Sequence, residues 1–424
     1  MSSEKRVAIF VDSRKESGGE YQHLLYTIEN IKKNNKNKVK FLIICLSKKL
    51  NLNLKSDDVE VKYFSLNLFQ RYICYLRNYN SLISRLKKYF FFRNKFENFL
   101  NENNVDLVYF LSPSQYALYL ENIKFFITIP DLDHREHLEF PEVVDNNEFN
   151  RKNEIFSKSL IKAQAIITNA EIIKKRLIKY YNIDSKRIFI ISLRPALSVK
   201  NFSLENMDKK KAETLKKKYN LPEDYIYYPA MYLPHKNHKC VIDTIKILNT
   251  EYKTNISAVF CGSDKGYLKK IKKYVDEQKQ SENIIFLDFV KSEYLPYLYL
   301  NAVALTMPTL SGPTNMPPWE AFKMETPVLY SDIYNVREVY GESVYYVDPL
   351  DPNSMAIGIK SILENKNLRD QLVNKGKNLL TKQTKLGSKR GFSVLPAPVV
   401  LPATAYFAGD EYRKGEPALD IASS

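Results

Sequence analysis

Short apolar runs alternate with amphipathic stretches along most of the chain. In the first half, runs typical of buried strands occupy residues 6–12, 41–46, 105–111, 124–130, 165–168 and 187–192. Between these runs, apolar residues recur at helical spacing, as at Leu24, Leu25, Ile28 and Ile31 and across 149–163 and 170–181. Continuous apolar strands separated by helices indicate a parallel sheet covered on both faces.

The same pattern restarts after a charged segment, 196–222, which has few strand signals. The later strand runs are 224–230, 256–262, 283–289, 302–308 and 326–332. We therefore predict an α/β protein with two doubly wound, Rossmann-like domains, 1–195 and 223–384, joined by a linker at 196–222. Ligands of such sheets bind beyond the carboxyl ends of the strands, so the cleft between the domains is the expected site.

The composition of the chain changes near its C-terminus, and residues 385–424 form an atypical tail. From Leu386 to Ser424 there is no Asn and one Ile, but four of the twelve glycines. One interpretation is a tag, a fusion or a frameshifted end, which has no part in the fold. The other is a native flexible tail.

Composition and charge narrow the class of protein. Of the 424 residues, 44% are hydrophobic and 26% charged, which is typical of globular domains. No apolar run reaches the roughly 20 residues of a membrane-spanning helix, and the N-terminus reads as a strand rather than a signal peptide. The four cysteines lie far apart without a CxxC pair, which favours a reducing cytoplasm over a disulfide framework or zinc site. The net charge of +16 favours anionic partners.

A basic and aromatic segment, residues 71–100, indicates what one such partner is. Its aromatic residues are interleaved with cations, which suits a helix lying on an anionic membrane surface. The residues predicted to face that surface are Arg85, Lys87, Lys88 and Arg93. The alternative is a core-packed helix with a solvated basic face. A nucleic-acid partner is not predicted, because the segment carries no recognition motif.

Four stretches of the sequence together resemble a known family. They are YPAMYLPHKNHKCVIDTIKIL at 228–248, SGPTNMPPWEAFKMETPVLYSD at 311–332, DLDHREHLEFPE at 131–142 and AIITNAEIIKKRL at 165–177. The combination resembles the retaining glycosyltransferases of the GT-B fold, family four (glycosyl transferases group 1), over roughly residues 5–380. It is most similar to the branch with PHKNH and GPTNxPPxEA motifs, which is often linked to bacterial polysaccharide assembly.

The resemblance implies a donor-binding site in the second domain. A nucleotide-sugar donor leaves as a diphosphate, whose charge is stabilised by cations and by oriented backbone N–H groups. Lys236 is the candidate cation, and Glu320 is the candidate for holding the ribose. Thr314, Asn315 and Met316 are further donor-binding candidates, at the start of a helix that Pro317 opens. Without the resemblance, a solvated lysine and a first-turn acid are the alternatives for Lys236 and Glu320.

The first domain supplies the remaining candidates. Asp133 and His134 are predicted to be catalytic, and Arg135 to contact the acceptor or a phosphate, although polar loop residues are the alternative. Gly18 and Gly19 follow the first strand, where the backbone approaches a ligand or simply turns.

Two positions depart from the family pattern. Gly312 stands where the family has its first Glu of an E-x7-E element, and Met231 stands where it has an arginine.

The expected activity is that of a retaining glycosyltransferase. It moves a sugar from a nucleotide-diphosphate sugar to a hydroxyl of a bacterial surface glycan, of the O-antigen, capsule or lipopolysaccharide type. We expect it to be cytoplasmic, peripheral on the inner membrane face, and to need no cofactor or metal; the D-x-D spelled by residues 131–133 is assigned to the acceptor side. The alternatives are a non-catalytic nucleotide-sugar-binding module and an epimerase or phosphorylase-like enzyme of the same fold. No G-x-G-x-x-G follows a strand, which argues against a dehydrogenase.

Overall fold

The first domain of the protein is built on a seven-stranded parallel sheet. The computed structural model describes residues 5–12, 19–34, 39–47, 59–79, 94–205, 207–287 and 290–389. The strands of the first sheet are β1 (Arg6–Val11), β2 (Lys40–Cys45), β3 (Val59–Tyr63), β4 (Leu107–Phe110), β5 (Lys124–Thr128), β6 (Ala165–Thr168) and β7 (Ile188–Ile190). Their order across the sheet is β3-β2-β1-β4-β5-β6-β7.

The second domain repeats this arrangement with six parallel strands. They are β8 (Tyr225–Tyr228), β9 (Ser257–Cys261), β10 (Ile284–Leu287), β11 (Ala304–Met307), β12 (Val328–Ser331) and β13 (Tyr345–Val347), in the order β10-β9-β8-β11-β12-β13. Two doubly wound parallel sheets confirm the predicted fold class.

Helices connect the strands in both domains. Those of the first domain are Gly19–Asn34, Leu68–Tyr79, Lys95–Glu102, Asp133–Glu136, Pro141–Val144, Glu148–Lys162 and Glu171–Tyr181. Two lie in the predicted linker, Leu197–Lys200 and Lys209–Lys218. Those of the second domain are His238–Thr250, Leu268–Glu277, Leu295–Leu300, Pro317–Lys323, Val336–Tyr340, Pro352–Glu364 and Lys366–Lys389.

The apolar strand runs form the cores. In β1, Val7, Ile9 and Val11 pack on one face of the sheet, while Ala8 and Phe10 pack on the other, and all five are buried. The second domain has one large core around Tyr225–Tyr228 of β8. Each sheet therefore has the covered faces expected of parallel strands.

Two strands carry no long apolar run and were not predicted. In β3, VEVKY, only Val59 is buried, and the strand lies at the edge of its sheet. Strand β13 has three residues and also lies at an edge. The polar residues of β3 and the three-residue length of β13 leave neither with the long apolar run of a buried strand.

The segment 196–222 packs against the second domain. Val199 and Leu215, one in each of its helices, are fully buried in the core of that domain. On its other side, Lys200 forms an ion pair with Glu29 of the first domain, with 3.0 Å between Nζ and Oε2. The linker thus contacts both domains.

The last described helix crosses the point where the composition changes. Lys366–Lys389 runs five residues beyond Thr384, and residues 390–424 of the tail lie outside the described residues. Among the helices that are described, none is long and apolar enough to cross a membrane.

Candidate functional site

The candidate site lies where the strand order of the second sheet reverses, between β8 and β11. The loops after these two strands leave the same edge of the sheet and run to adjacent places, which is where ligands of doubly wound sheets bind. The loop after β8 carries Lys236, and the loop after β11 carries Asn315. The two side chains meet, because Lys236 Nζ donates a hydrogen bond of 3.0 Å to Asn315 Oδ1.

Local backbone geometry places Lys236 at this point. Pro234–Lys236 form a short 3-10 turn, and Asn237 adopts the left-handed conformation with φ 54° before the helix His238–Thr250 begins. The Asn237 side chain fastens this turn by donating to the carbonyls of Pro308 and Pro349, at 3.1 and 2.7 Å. Asn tolerates the left-handed region better than other non-glycine residues, which explains its place in PHKN.

The charge of Lys236 is balanced within the cleft. Burial lowers the pKa of Lys236, while the nearby carboxylates of Asp133, Asp131 and Glu142 act in the opposite direction. All three carboxylates belong to the first domain. Lys236 of the second domain therefore faces carboxylates of the first domain across the cleft.

The orientation of Asn315 is fixed by its other contacts. Its Nδ2 donates to the Gly312 carbonyl at 2.8 Å and to the Tyr330 hydroxyl at 2.5 Å, which leaves Oδ1 for Lys236. Its backbone N–H donates to the Tyr340 hydroxyl at 3.2 Å. That amide, which the sequence predicts as a donor to phosphate, therefore already has a partner within the protein.

Thr314 and Met316 flank Asn315 and are half-buried. The Met316 carbonyl accepts hydrogen bonds from the N–H groups of Trp319 and Glu320, so Met316 opens the seven-residue helix Pro317–Lys323. Their contact with a donor stays a prediction.

Glu320 has partners on both of its carboxylate oxygens. Oε1 accepts from the Ala196 N–H at 3.0 Å, and Oε2 accepts from the Tyr299 hydroxyl at 2.5 Å. The residue is only 7% exposed, and burial raises the pKa of its carboxyl. A carboxylate offers about four acceptor positions, so two remain for a ligand hydroxyl. Glu320 thus connects the linker to the second domain through Ala196. Its contact with a ribose stays a prediction.

Asp133 lies in the cleft opposite the second domain. Its Oδ2 accepts a hydrogen bond from Ser311 Oγ at 3.3 Å across the two domains. Burial and repulsion by Asp131 raise the pKa of Asp133 to about 6, although Lys236 and the Ser311 hydrogen bond oppose the shift. Asp133 therefore lies in the cleft near Lys236 and Asn315. Its catalytic role stays a prediction.

His134 lies in the core of the first domain. Its side chain has no exposed surface, its Nε2 lies 2.9 Å from the Tyr181 hydroxyl, and its ring packs edge-on against Phe156 at 4.7 Å. Burial lowers the pKa of His134 to about 4. The ring has no exposed surface in this conformation and packs as part of the core, and its predicted catalytic role stays a prediction.

Arg135 also packs within the first domain. It donates to Asn153 Oδ1 at 3.1 Å and lies over the rings of Tyr180 and Tyr181, each 5.7 Å from its guanidinium carbon. Gly19 begins the helix Gly19–Asn34. The other first-domain candidates, Gly18, Arg85, Lys87, Lys88 and Arg93, lie outside the described residues.

A contact between the domains was not predicted from the sequence. His235 Nδ1 lies 2.5 Å from Glu142 Oε1, and the His235 backbone N–H donates to the same oxygen at 3.1 Å. Burial lowers the pKa of His235, and Glu142 opposes this shift. Both residues lie inside quoted motifs, PHKN and FPE, but no local pattern shows that segments 93 residues apart meet.

The two departures from the family pattern lie at the cleft and beside it. Gly312 has φ +80°, a conformation that side chains rarely adopt, and a Cβ built on it would lie 4.0 Å from Asp133 Oδ2. Met231 is 37% exposed and follows Ala230, whose carbonyl closely approaches Gly262. Among the residues that the structure describes, no three His, Cys, Asp or Glu side chains are grouped so as to hold a metal ion.

Comparisons with known proteins match the second domain to a family. Residues 210–379, which contain Lys236, Asn315 and Glu320, match the family model "Glycosyl transferases group 1". The O-antigen chain mannosyltransferase RfbU of Salmonella typhimurium is 27% identical over 208 residues, 49% of this chain and 53% of that protein. The chain thus spans about half the length of the first curated relatives it matches.

Solved structures with the same fold cover nearly the whole chain. A glycosyltransferase from Rickettsia africae has a TM-score of 0.64 at 16% identity, over 90% of this chain and 94% of that one. Anabaena Alr3699/HepE in complex with UDP has a TM-score of 0.65 at 13% identity, over 89% and 95%. At these identities the likeness shows the fold alone. The chain therefore has the two-domain GT-B fold, and its residues 210–379 match the model of the glycosyl transferases group 1 family.

Proposed function

We propose that this chain is a hexosyltransferase that moves a sugar from a nucleotide-diphosphate sugar to a hydroxyl of a bacterial surface glycan. The observation that carries the proposal is the Lys236–Asn315 pair at the strand-order reversal of the group 1 domain. The relative whose name specifies an O-antigen mannosyltransferase supports an acceptor of the O-antigen, capsule or lipopolysaccharide type. The UDP complex of a protein with the same fold supports a nucleotide ligand.

The chemistry requires stabilisation of the diphosphate that leaves. Lys236 supplies a positive charge in a partly enclosed cleft, where electrostatic interactions are stronger than in water. When the diphosphate binds, it replaces Asn315 Oδ1 as the acceptor for the ammonium group. We propose that this cation takes the place of a divalent metal, and that transfer retains the anomeric configuration. Activity in the presence of EDTA, and NMR of the product linkage, test these two points.

Nucleotide binding is the first experiment. We expect UDP, GDP or their sugar conjugates to raise the melting temperature of the wild-type protein selectively, which also identifies the base. Lys236→Met removes the charge and is expected to lower the affinity about 10- to 100-fold. Lys239→Met is the matched control, because Lys239 lies three residues away and instead stacks on Tyr274, 4.7 Å from the ring centroid. Equal affinities in the two variants would contradict the proposed site.

The transfer reaction separates the proposal from its alternatives. Release of nucleoside diphosphate only in the presence of a glycan acceptor indicates transfer. Binding without release indicates the non-catalytic module, which Gly312 and Met231 favour. Isomerisation of the donor sugar, or phosphate-dependent cleavage of a glycan, indicates an epimerase or a phosphorylase-like enzyme.

We further propose that the enzyme is peripheral on the inner face of the cytoplasmic membrane. The helix Leu68–Tyr79 supports this, since it presents apolar side chains to solvent: Leu68 is 84% exposed, Phe69 69% and Tyr72 59%. The chain continues from this helix into the basic residues 85–93, so apolar and cationic side chains follow one another. Apolar insertion combined with attraction to anionic lipid is the usual basis of interfacial binding.

Vesicle flotation tests the membrane proposal. We expect the protein to float with vesicles that contain anionic phosphatidylglycerol and to remain unbound with phosphatidylcholine alone. A Leu68→Ser, Phe69→Ser double variant is expected to lose most binding, whereas Leu350→Ser, at an equally exposed residue of the second domain, is not. Flotation that is independent of lipid charge and of Leu68 and Phe69 would argue against this surface.

A further inference from the structure

The carboxylate of Asp133 is incompletely hydrogen-bonded. Oδ2 accepts from Ser311, but Oδ1 is buried and has no hydrogen-bond partner among the residues that the structure describes. A buried acceptor without a donor is destabilising, and such groups in folded proteins are commonly satisfied by water or a ligand. Asp133 therefore has an acceptor position that no described donor fills.

The surroundings of Asp133 restrict the donor that fits. His137 and Lys236 attract Asp133, and Asp131 repels it, so all three are close enough to interact with it electrostatically. The proposed diphosphate binds Lys236. A ligand that satisfies both residues carries an anionic group for Lys236 and a neutral hydroxyl for Asp133, which is the arrangement of a sugar attached to a diphosphate.

The second domain presents Gly312 next to Asp133. A Cβ at Gly312 would lie 3.8 Å from Asn315 Nδ2 and 4.0 Å from Asp133 Oδ2, so position 312 adjoins both residues. Because Gly312 has φ +80°, a side chain there is strained. The second domain thus presents backbone rather than a side chain at this point, and the carboxylate next to it comes from the first domain.

We infer that Asp133 accepts a hydrogen bond from a hydroxyl of the donor sugar and selects neutral sugars over those that carry a carboxylate. This inference rests on the proposed donor site. An ionised carboxylate only accepts hydrogen bonds, so it binds a hydroxyl but repels a second carboxylate. Asp131 adds to that repulsion. Asp133 is thereby a specificity-determining residue that reaches the donor sugar from across the cleft.

Titration calorimetry with matched ligands tests this role. The probes are UDP and GDP, the neutral conjugates UDP-glucose and GDP-mannose, and the acidic conjugate UDP-glucuronate. The variant is Asp133→Asn, which keeps the size of the side chain. The control is Asp145→Asn, at an exposed acid of the same domain.

Wild-type protein is expected to bind a neutral conjugate more tightly than its nucleoside diphosphate, and the acidic conjugate least. Asp133→Asn is expected to bind the neutral conjugate about 10- to 100-fold more weakly, to bind the nucleoside diphosphate unchanged, and to discriminate less against the acidic conjugate. Asp145→Asn is expected to keep the wild-type preference.

Two results would overturn the inference. One is unchanged binding of the neutral conjugate by Asp133→Asn. The other is an equal loss for the nucleoside diphosphate and its conjugate, which places Asp133 at the diphosphate or in a structural role. If the wild-type protein binds no nucleotide at all, the proposed function itself fails and the inference with it. If wild type binds the nucleotide sugars and Asp133→Asn binds them with the same affinities, the inference is refuted and the proposed function is not.

Discussion

The two domains share a strand order but present opposite charges to the cleft. The first sheet places β1 next to β4 at its centre, and the second places β8 next to β11 in the same way. Beyond the strands, however, the first domain carries the acids Asp131, Asp133 and Glu142, whereas the second carries Lys236. The repeated topology positions the loops, and the loop sequences decide what each edge binds.

A second difference lies at the end of two equivalent strands. Leu46 follows β2, whereas Gly262 follows β9. A Cβ on Gly262 would lie only 1.9 Å from the Ala230 carbonyl oxygen, because the loop after β8 runs directly beside it. The second domain therefore needs glycine at this point to accommodate the chain segment that leads to Lys236.

The largest expected effect is that of Gly262→Ala. Since the Cβ meets backbone, the loop after β8 has to move, and we expect the free energy of unfolding to fall by about 3 kcal/mol or more. Nucleotide affinity should fall with it. Leu46→Ala, at the equivalent position of the first domain, is expected to cost about 1 kcal/mol. Denaturant unfolding measures both, and equal losses would remove the distinction between the two domains.

Glu320 and Asp133 form the next contrast, because the first has two hydrogen-bond donors and the second has one. Glu320→Ala leaves the Ala196 N–H and the Tyr299 hydroxyl buried without an acceptor, and we expect a loss of about 2–4 kcal/mol. Glu320→Gln keeps one acceptor oxygen and should cost about 1 kcal/mol. Similar stabilities for the two variants in urea unfolding would contradict the structural role of this carboxylate.

The pKa of Asp133, at about 6, predicts the dependence of stability on pH. The ordinary pKa of 3.8 applies to the unfolded chain, so between pH 4 and 6 the folded state binds more protons than the unfolded state. The contribution of Asp133 to stability is therefore present at pH 4 and is lost as the pH rises through 6, by roughly 2 kcal/mol. Asp133→Asn should gain stability relative to wild type over this range.

The difference in stability between Asp133→Asn and wild type should be measured as a function of pH. The wild type alone is not sufficient, because buried histidines also titrate. Burial lowers the pKa of His134 to about 4, so its contribution is lost as the pH falls from 6.5 towards 4, which is the opposite sign. The difference between Asp133→Asn and wild type isolates the carboxyl. A difference that is constant with pH would contradict the burial of Asp133.

The smallest expected effect concerns an ion pair between domains. Lys200 pairs with Glu29 and lies 4.8 Å from the centroid of the Tyr26 ring. Lys200→Ala is expected to lower the free energy of unfolding by about 0.5–1 kcal/mol. Lys158→Ala removes an exposed pair within one helix and should cost about 0.5 kcal/mol or less. Thermal unfolding at low and high salt distinguishes them, and equal values would show that the domain contact adds nothing.

Sequence patterns predict the sheets well but the contacts between domains poorly. Eleven of the thirteen strands coincide with apolar runs, including β7 and β10, which lie at the edges of their sheets. The motif PHKN indicated Lys236. The motif around residues 131–134 did not indicate that the His134 ring is buried in the core, and its catalytic role stays a prediction.

The partners of the site residues depend on long-range contacts. Ser311 lies 178 residues from Asp133, and Ala196 lies 124 residues from Glu320. No periodicity or spacing encodes such a meeting. Ala196 in particular belongs to a segment whose charge pattern suggests only a connection between domains.

The hydrogen bond from Ala196 to Glu320 attaches the start of the linker to the candidate site. Ala196 precedes the helix Leu197–Lys200, whose last residue is joined to Glu29 of the first domain. Residues 196–200 thus connect Glu320, at the edge of the candidate site, to Glu29 of the opposite domain. When Glu320 shifts, either Ala196 follows it or a buried N–H loses its acceptor, so a displacement of this carboxylate has to be accommodated by the start of the helix Leu197–Lys200.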